Sequence, residues 1–254
     1  MLKKLFLDTL NKPEKPKDPP KEKVFKIKPS FLGSKCQRQI FYSATGVPTD
    51  VPFPEIAKRR MKMGDAISDM LTDVFKESGC LVQYYNPDGS IPKHWKTQKD
   101  DREFPIKSED LYIDKGKIDG VFVIDGKLYL GEYKSINQNG FGTLHAPKSD
   151  HLIQGVTYLF AFNQQLKAGA YTHVKELQGF ERAEGIVFVY VNKDDTDIKD
   201  FVVTSADSTF QELVKKIMTI KYYADNDILP PCTPDYGRTC NCNWKIKSKN
   251  NQLK

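Results

Sequence analysis

The sequence predicts an α/β fold, a mixed central sheet flanked by helices, and three observations predict it. Two β-rich runs, Lys117 to Ile124 and Lys127 to Ser135, flank an Asp125-Gly126 pair, the strongest short-range hairpin signal. Gly185 to Val191, Gly-Ile-Val-Phe-Val-Tyr-Val, is nearly continuous in apolar residues, as expected of a strand covered on both faces. Amphipathic helical patterns stand before, between and after these strands: Glu55 to Lys76, Ser149 or Asp150 to about Gln165, and a third opened by Ser208.

Taken in order, residues 1–28 read as a flexible basic, Pro-rich tail. Leu2, Leu5, Phe6 and Leu10 fall at roughly helical spacing, so residues 1–12 read either as disordered tail, the reading slightly favoured, or as a docking helix for a protein partner. Pro13, Pro16, Pro19 and Pro20 exclude a helix or central strand from Asn11 to Lys23. Pro29 to Gly46 predicts a short helix capped by Ser30 or Ser34 and ended at Gly46. In the long helix from Glu55, Met63, Ile67, Met70, Leu71 and Val74 form one apolar stripe, and Gly79 stops it. Asp65 and Asp69 point away from that stripe, and Lys58-Arg59-Arg60 is either a solvated face or a phosphate contact. Residues 80–116 read as a strand (Leu81 to Tyr85), a polar loop holding His94 and Trp95, and a strand (Arg102 to Ile106) on which Glu103 either approaches the site or, the favoured reading, is an edge charge.

Beyond the hairpin, Asn137 to Ser149 is a Gly-rich polar loop directly after its second strand, so it should border any site there, with His145 and Lys148 reaching phosphates or bases. Lys199 to Thr204 predicts a further strand. Ser208-x-x-Gln211 is a capping box opening a helix that carries Phe210, Leu213, Val214 and Ile217 and ends before Pro230-Pro231. The domain reading is therefore a tail over 1–28, one domain over 29–229, and a cysteine-bearing basic tail over 230–254.

At 254 residues and 39% hydrophobic, the chain suits one domain with additions, and no run approaches membrane-spanning length. The formal charge of +6 fits a polyanion-binding protein without identifying one. Five cysteines, an odd number, and no opening signal peptide point to reduced, cytoplasmic thiols, with metal ligation the main reason to hold them. No dinucleotide or P-loop glycine pattern is present, which argues against an ATP-driven motor.

Chemistry concentrates at the outer end of the hairpin. If Asp125 and Gly126 form a two-residue turn, Ile124 faces Lys127, and Asp119 lies opposite Glu132. Asp119, Val121, Val123, Leu128, Leu130, Glu132 and Lys134 then share one face, apolar except where two carboxylates and an ammonium meet. Directly opposed residues have Cβ atoms about 4.5–5.5 Å apart, where like charges destabilise. A divalent cation offsets that repulsion, and Mg²⁺ typically sits on one or two carboxylates plus substrate phosphate. The alternative, a surface hairpin salt-bridged by Lys117 and Lys134, ranks second because the rest of the face is apolar.

Asp119 followed by Glu132-Tyr133-Lys134 resembles the Asp…(Asp/Glu)-x-Lys core of the PD-(D/E)xK nuclease superfamily. Cys36, Arg38 and Tyr42 resemble the Cys-x-Arg-x-x-x-Tyr opening of its RecB-like members that carry an iron–sulfur cluster, a group that includes the CRISPR adaptation nucleases and many phage exonucleases. Gln154 and Tyr158 match the Gln-x-x-x-Tyr helix that follows the Glu-x-Lys strand in that group. Cys232, Cys240 and Cys242 are similar to its C-terminal cysteine group, although seven residues and then one intervene where the family has Cys-x-x-Cys and a later Cys. The family's Gly-x-x-x-His, whose His ligates metal, is here Gly64 followed by Ser68, a poor ligand, with Asp69 a distant substitute.

The resemblance spans about residues 29–244. It implies a restriction-endonuclease-like nuclease core and a DNA exonuclease of recombination, repair or replication, in the cytoplasm of a prokaryotic cell or phage-infected host. It implies Mg²⁺ or Mn²⁺ on Asp119, Glu132 and the Tyr133 carbonyl, catalysis by these with Lys134 and Gln154, and DNA contacts from Tyr158, Lys148 and Arg38. Cys36, Cys232, Cys240 and Cys242 would hold a 4Fe–4S cluster or Zn²⁺, or remain unligated. The alternative function is a catalytically impaired nuclease-fold protein acting as a nucleic-acid binding or adaptor module.

Overall fold

The computed structural model describes residues 24–49, 54–93, 100, 103–204 and 207–232. The proposed docking segment 1–12, His94 and Trp95, and the thiols of Cys240 and Cys242 lie outside the described residues. In chain order the elements are α1 (Pro29–Leu32), α2 (Gln37–Ala44), α3 (Glu55–Glu77), β1 (Phe104–Ser108), β2 (Ile113–Ile118), β3 (Gly120–Ile124), β4 (Lys127–Ile136), α4 (Gln138–Gly142), α5 (Ser149–Lys167), a 3₁₀ turn (Lys175–Leu177), β5 (Gly185–Asn192), β6 (Ile198–Val203) and α6 (Asp207–Asp225). The fold is α/β. A four-stranded sheet runs β3-β4-β5-β6, antiparallel at β3/β4 and β5/β6 and parallel at β4/β5, so it is mixed; β1 and β2 form a separate antiparallel pair.

The central hairpin follows from its turn. Asp125 and Gly126 both adopt positive φ, 49° and 71°, as a two-residue turn of matching twist requires. The register then runs from Ile124↔Lys127 to Gly120↔Gly131 as the sequence dictates. It stops one residue short of the predicted Asp119 and Glu132 pair. The chain bends at Asp119, and the upstream residues Ile113–Ile118 leave the main sheet to pair with β1. A side chain replaces the missing ladder contact: Asp119 Oδ2 accepts the Tyr133 N–H at 2.7 Å.

Period-2 alternation sorts β4 and β5 into two cores. Val121, Leu128, Leu130, Ile186, Phe188 and Tyr190 join the larger core with α5, α6 and the β1–β2 pair; Phe122, Tyr133, Val189 and Val191 meet Leu71 of α3 on the other face. A Cβ at Gly155 of α5 would stand 2.4 Å from Phe188 Cζ, so a residue without a side chain is what lets this helix lie so close to β5.

Several sequence-based expectations need correction. On α3, Met63, Met70 and Val74 are 53%, 42% and 55% exposed, and the face that packs is Ile67, Leu71 and Phe75 beside Thr72. The apolar residues of this helix span more than one face, and only contact with the sheet decides which is covered. Leu81 makes a single bridge to Phe122 rather than starting a strand. Pro29–Gly46 holds two short helices, not one. Helix α5 takes Lys148, not Ser149 or Asp150, at its N-cap position, and α6 begins at Asp207, placing Ser208 inside its first turn. The packed body starts before residue 29: Ile27 is buried and its N–H bonds the Tyr112 carbonyl at 2.8 Å. None of the described helices is long and apolar enough to cross a membrane.

Candidate metal-dependent active site

The bend at Asp119, the outer half of β4 and the start of α5 meet at the floor of a cleft of about 670 Å³. Asp119, Glu132, Tyr133, Lys134, Gln154 and Tyr158 all line it. The strand alternation that buries Leu128 and Leu130 carries Glu132 inward too, leaving it 2% exposed. Lys134, two residues on, donates to Glu132 Oε1 at 2.5 Å and to Gln154 Oε1 at 3.2 Å. The Gln154 amide donates in turn to the Tyr158 hydroxyl at 3.3 Å, one helical turn along α5.

The other oxygen of Glu132, Oε2, is buried and has no hydrogen-bond partner. The remaining orphaned side-chain atoms among the described residues are a hydroxyl of Ser43, the phenol of Tyr133 and Nε2 of His173. None of those groups must carry charge at neutral pH; a carboxylate normally does. Burial raises the carboxyl pKa of Asp119 well above its ordinary range, the charge of Glu132 raises it further, and Lys134 opposes. Burial likewise raises Glu132, again opposed by Lys134. Two ionised carboxylates here leave negative charge that a single ammonium does not balance. A divalent cation fits this donor set: hard oxygen ligands, one of them orphaned, open to a cleft.

The walls of the cleft are basic at several points. Lys28 and Ser30 of the first turn of the chain body, Arg60 of α3, and Lys115 and Lys117 of β2 line it. Of the Lys58-Arg59-Arg60 run only Arg60 does so, and Arg59 pairs with Glu55 at 3.9 Å. Gly64 and Ser68 of α3 line the cleft as well, so the position where the resemblance expects a His is at the site. Asp65, Asp69 and Asp73 are exposed on the far side of the helix, which removes Asp69 as a substitute ligand.

No family model matches this chain. No curated protein matches it either. Among solved structures, that of SSO0001 is similar, with a TM-score of 0.41 and 17% identity over 87% of each chain.

Other predicted residues sit elsewhere. Arg38 is buried on α2, where its Nε donates to the Pro230 carbonyl at 2.8 Å; it ties the C-terminal segment to the body instead of facing the cleft. Lys148 is exposed at the start of α5, and neither it nor His145 lines the cleft, because the loop after β4 folds into α4 and packs toward β5. Tyr158 lines the cleft, but the residue is 6% exposed and its side chain belongs to the large core, so it offers little face for stacking on a base. Cys36 and Cys232 do come together, Sγ to Sγ at 3.9 Å, while Cys80 stands apart beside Ser78 at the end of α3. Glu103, for which an edge charge is the favoured sequence reading and approach to the site the other, lines the cleft with the two acids. Its signal lay in the β1–β2 register, which a reading of one strand at a time does not contain.

Proposed function

We propose that the chain is a divalent-metal-dependent DNA nuclease, most like the RecB-like exonucleases of the PD-(D/E)xK superfamily. The observation that carries this reading is the orphaned, buried Oε2 of Glu132 at the floor of a basic-edged cleft, with Asp119 beside it. Asp119 and Glu132 would hold Mg²⁺ or Mn²⁺, with the Tyr133 carbonyl as a further oxygen. A cation bound there supplies a water of lowered pKa and polarises the scissile phosphate. Lys134 sets a positive charge where negative charge builds on the phosphate oxygens, and its bonds to Glu132 and Gln154 fix its direction in advance. Gln154, held from both ends, orients the attacking water or the substrate. Lys28, Arg60 and Lys115, which line the cleft, would hold flanking phosphates.

A second reading, a nucleic-acid binding or adaptor module with impaired catalysis, rests on Ser68 facing the cleft in place of a ligating His. One experiment separates the two: incubation of the protein with end-labelled and circular DNA in Mg²⁺ or Mn²⁺. Metal-dependent cleavage by the natural chain, abolished in Asp119→Ala, is expected; DNA binding without cleavage would favour the second reading. Asp119→Ala also removes the acceptor of the Tyr133 N–H, a loss at every pH. A carboxyl whose folded pKa is raised contributes stability at acid pH and loses it as pH rises through the folded value, so thermal unfolding of the two metal-free proteins should show the variant gaining on the natural chain as pH rises.

The pairing of Cys36 with Cys232 supports a thiolate site at the junction of α2 and the C-terminal segment, a 4Fe–4S cluster or Zn²⁺ completed by Cys240 and Cys242. Protein purified without oxygen should carry iron and sulfide, or one zinc. Metal-free protein with all four thiols alkylatable would rule the site out.

A further inference from the structure

Two hairpins meet at Asp119, and their registers place it between two acids. The β3–β4 register, continued one residue past Gly120↔Gly131, sets Asp119 opposite Glu132. The β1–β2 register runs Pro105↔Lys117 and Phe104↔Ile118; continued one residue, it sets Asp119 opposite Glu103. Glu103 lines the same cleft, and its charge raises the carboxyl pKa values of both Asp119 and Glu132. It belongs to none of the motif positions that carry the family resemblance.

Glu103 does not complete a metal cluster as it stands. Among the described residues no group of three or more carboxylate, imidazole or thiol side chains is arranged to hold a metal ion. Glu103 is instead drawn toward Lys117, Oε2 to Nζ at 2.8 Å, with both side chains about 40% exposed. A pair so exposed is weak and is easily exchanged for a stronger partner. On the opposite side the orphaned oxygen of Glu132 points to a ligand that is wanted, and Ser68 leaves the protein one donor short.

We propose that Glu103 is the third protein carboxylate of the metal site, held in reserve by Lys117, and that on exchange the Lys117 ammonium turns to a phosphate of the substrate. Without the cation, Lys117 neutralises Glu103 and keeps a third negative charge from crowding Asp119. With the cation, Glu103 turns inward and Lys117, already on the cleft wall, exchanges it for phosphate. Metal binding and phosphate binding then favour one another through this pair, a coupling that is reciprocal by necessity. The inference rests on the reading of Asp119 and Glu132 as metal ligands.

The test is calorimetric titration of the full chain with Mn²⁺ alone, on the natural protein, Asp119→Asn, Glu103→Gln, Lys117→Gln and the Glu103→Gln/Lys117→Gln pair, with circular dichroism to check that each folds. Glu103→Gln should weaken Mn²⁺ binding on the order of tenfold. Lys117→Gln should tighten it, while weakening binding of a labelled oligonucleotide in Mn²⁺. The double variant decides the cause: if Lys117 acts by holding Glu103, its replacement changes nothing once Glu103 is gone. Glu103→Gln binding Mn²⁺ as tightly as the natural chain overturns the inference alone. An equal effect of Lys117→Gln with and without Glu103 overturns the exchange, leaving a general charge effect. No Mn²⁺ binding by the natural chain, or none lost in Asp119→Asn, overturns the underlying reading of the site as well.

Discussion

Two buried polar clusters lie on the same face of the sheet, one strand apart, and they are built to opposite rules. On β5, register partner to Lys134, Tyr190 is fully buried. Its hydroxyl accepts the Lys148 N–H at 3.1 Å and pairs with His151 Nδ1 at 2.8 Å, and the two rings stack with centroids 5.6 Å apart. Neither side chain has a buried atom left without a partner. On β4, Glu132 is just as deeply placed, yet one of its oxygens has no partner. A satisfied network rigidifies a fold, here by fixing the start of α5; an unsatisfied charge in the interior is costly, and it persists where a ligand will meet it. The difference distinguishes a structural cluster from a site without appeal to either one's position in a cleft.

The comparison breaks first at Lys134, whose charge both clusters feel. In Lys134→Ala, kcat should fall by about 10²–10³-fold, the range for removing one preorganised group that stabilises transition-state charge. Calorimetry should still show Mn²⁺ binding, since the carboxylates remain. Metal affinity lost in parallel with turnover would mean that Lys134 merely props up the site. The same variant should raise the pKa of His151 in an NMR titration, because Lys134 is one of the charges that hold it down.

His151 tests the structural cluster. Burial first, then repulsion by Lys134 and Lys148, lowers its pKa from 6.5 to about 4, with Asp150 acting the other way. A histidine lowered in the fold favours the neutral form there. Its contribution to stability is present above pH 6.5 and is lost as pH falls from 6.5 toward 4. Allowing for solvent screening of a partly exposed ring, the loss is about 2 kcal/mol. Asp119 and Glu132, both raised, drive stability the opposite way as they deprotonate. The natural chain alone therefore shows a mixed slope, and the difference from His151→Asn, whose amide can keep a bond to Tyr190, isolates the histidine. A difference curve flat between pH 4 and 6.5 would show that the ring titrates alike in the folded and unfolded chain.

What the sequence showed of this arrangement tracks how local each signal is. The β3–β4 register was legible because a two-residue turn sets it, and the order Asp119, Glu132, Lys134, Gln154 follows from one hairpin and the next helix. Glu103 and Arg60 reach the cleft through a second hairpin and a distant helix; the sequence offered each a place near the site only as the less favoured reading, because no spacing joins them to the central hairpin. Arg38 stood in a motif, but its direction depends on where residue 230 returns to α2, a contact between residues 192 positions apart. The covered face of α3 was misjudged because Met63, Met70 and Val74 are as apolar as the residues that pack, and methionine tolerates either environment.

The smallest expected effect separates two roles for Tyr158. The family resemblance sets this residue beside DNA, whereas the fold buries its ring and leaves the hydroxyl on the Gln154 amide. Burial, with the nearby charge of Glu132, raises its pKa well above the ordinary phenol range, which keeps the hydroxyl neutral at working pH. Removing the hydroxyl in Tyr158→Phe costs one neutral hydrogen bond, about 1 kcal/mol, and so reduces rate by roughly fivefold. If Tyr158 positions Gln154, that loss falls on kcat, with KM unchanged. If it touches the substrate, KM rises and kcat holds. Gln154→Ala made in the Tyr158→Phe background sharpens the answer: a positioning residue adds no further loss once the group it positions has been removed.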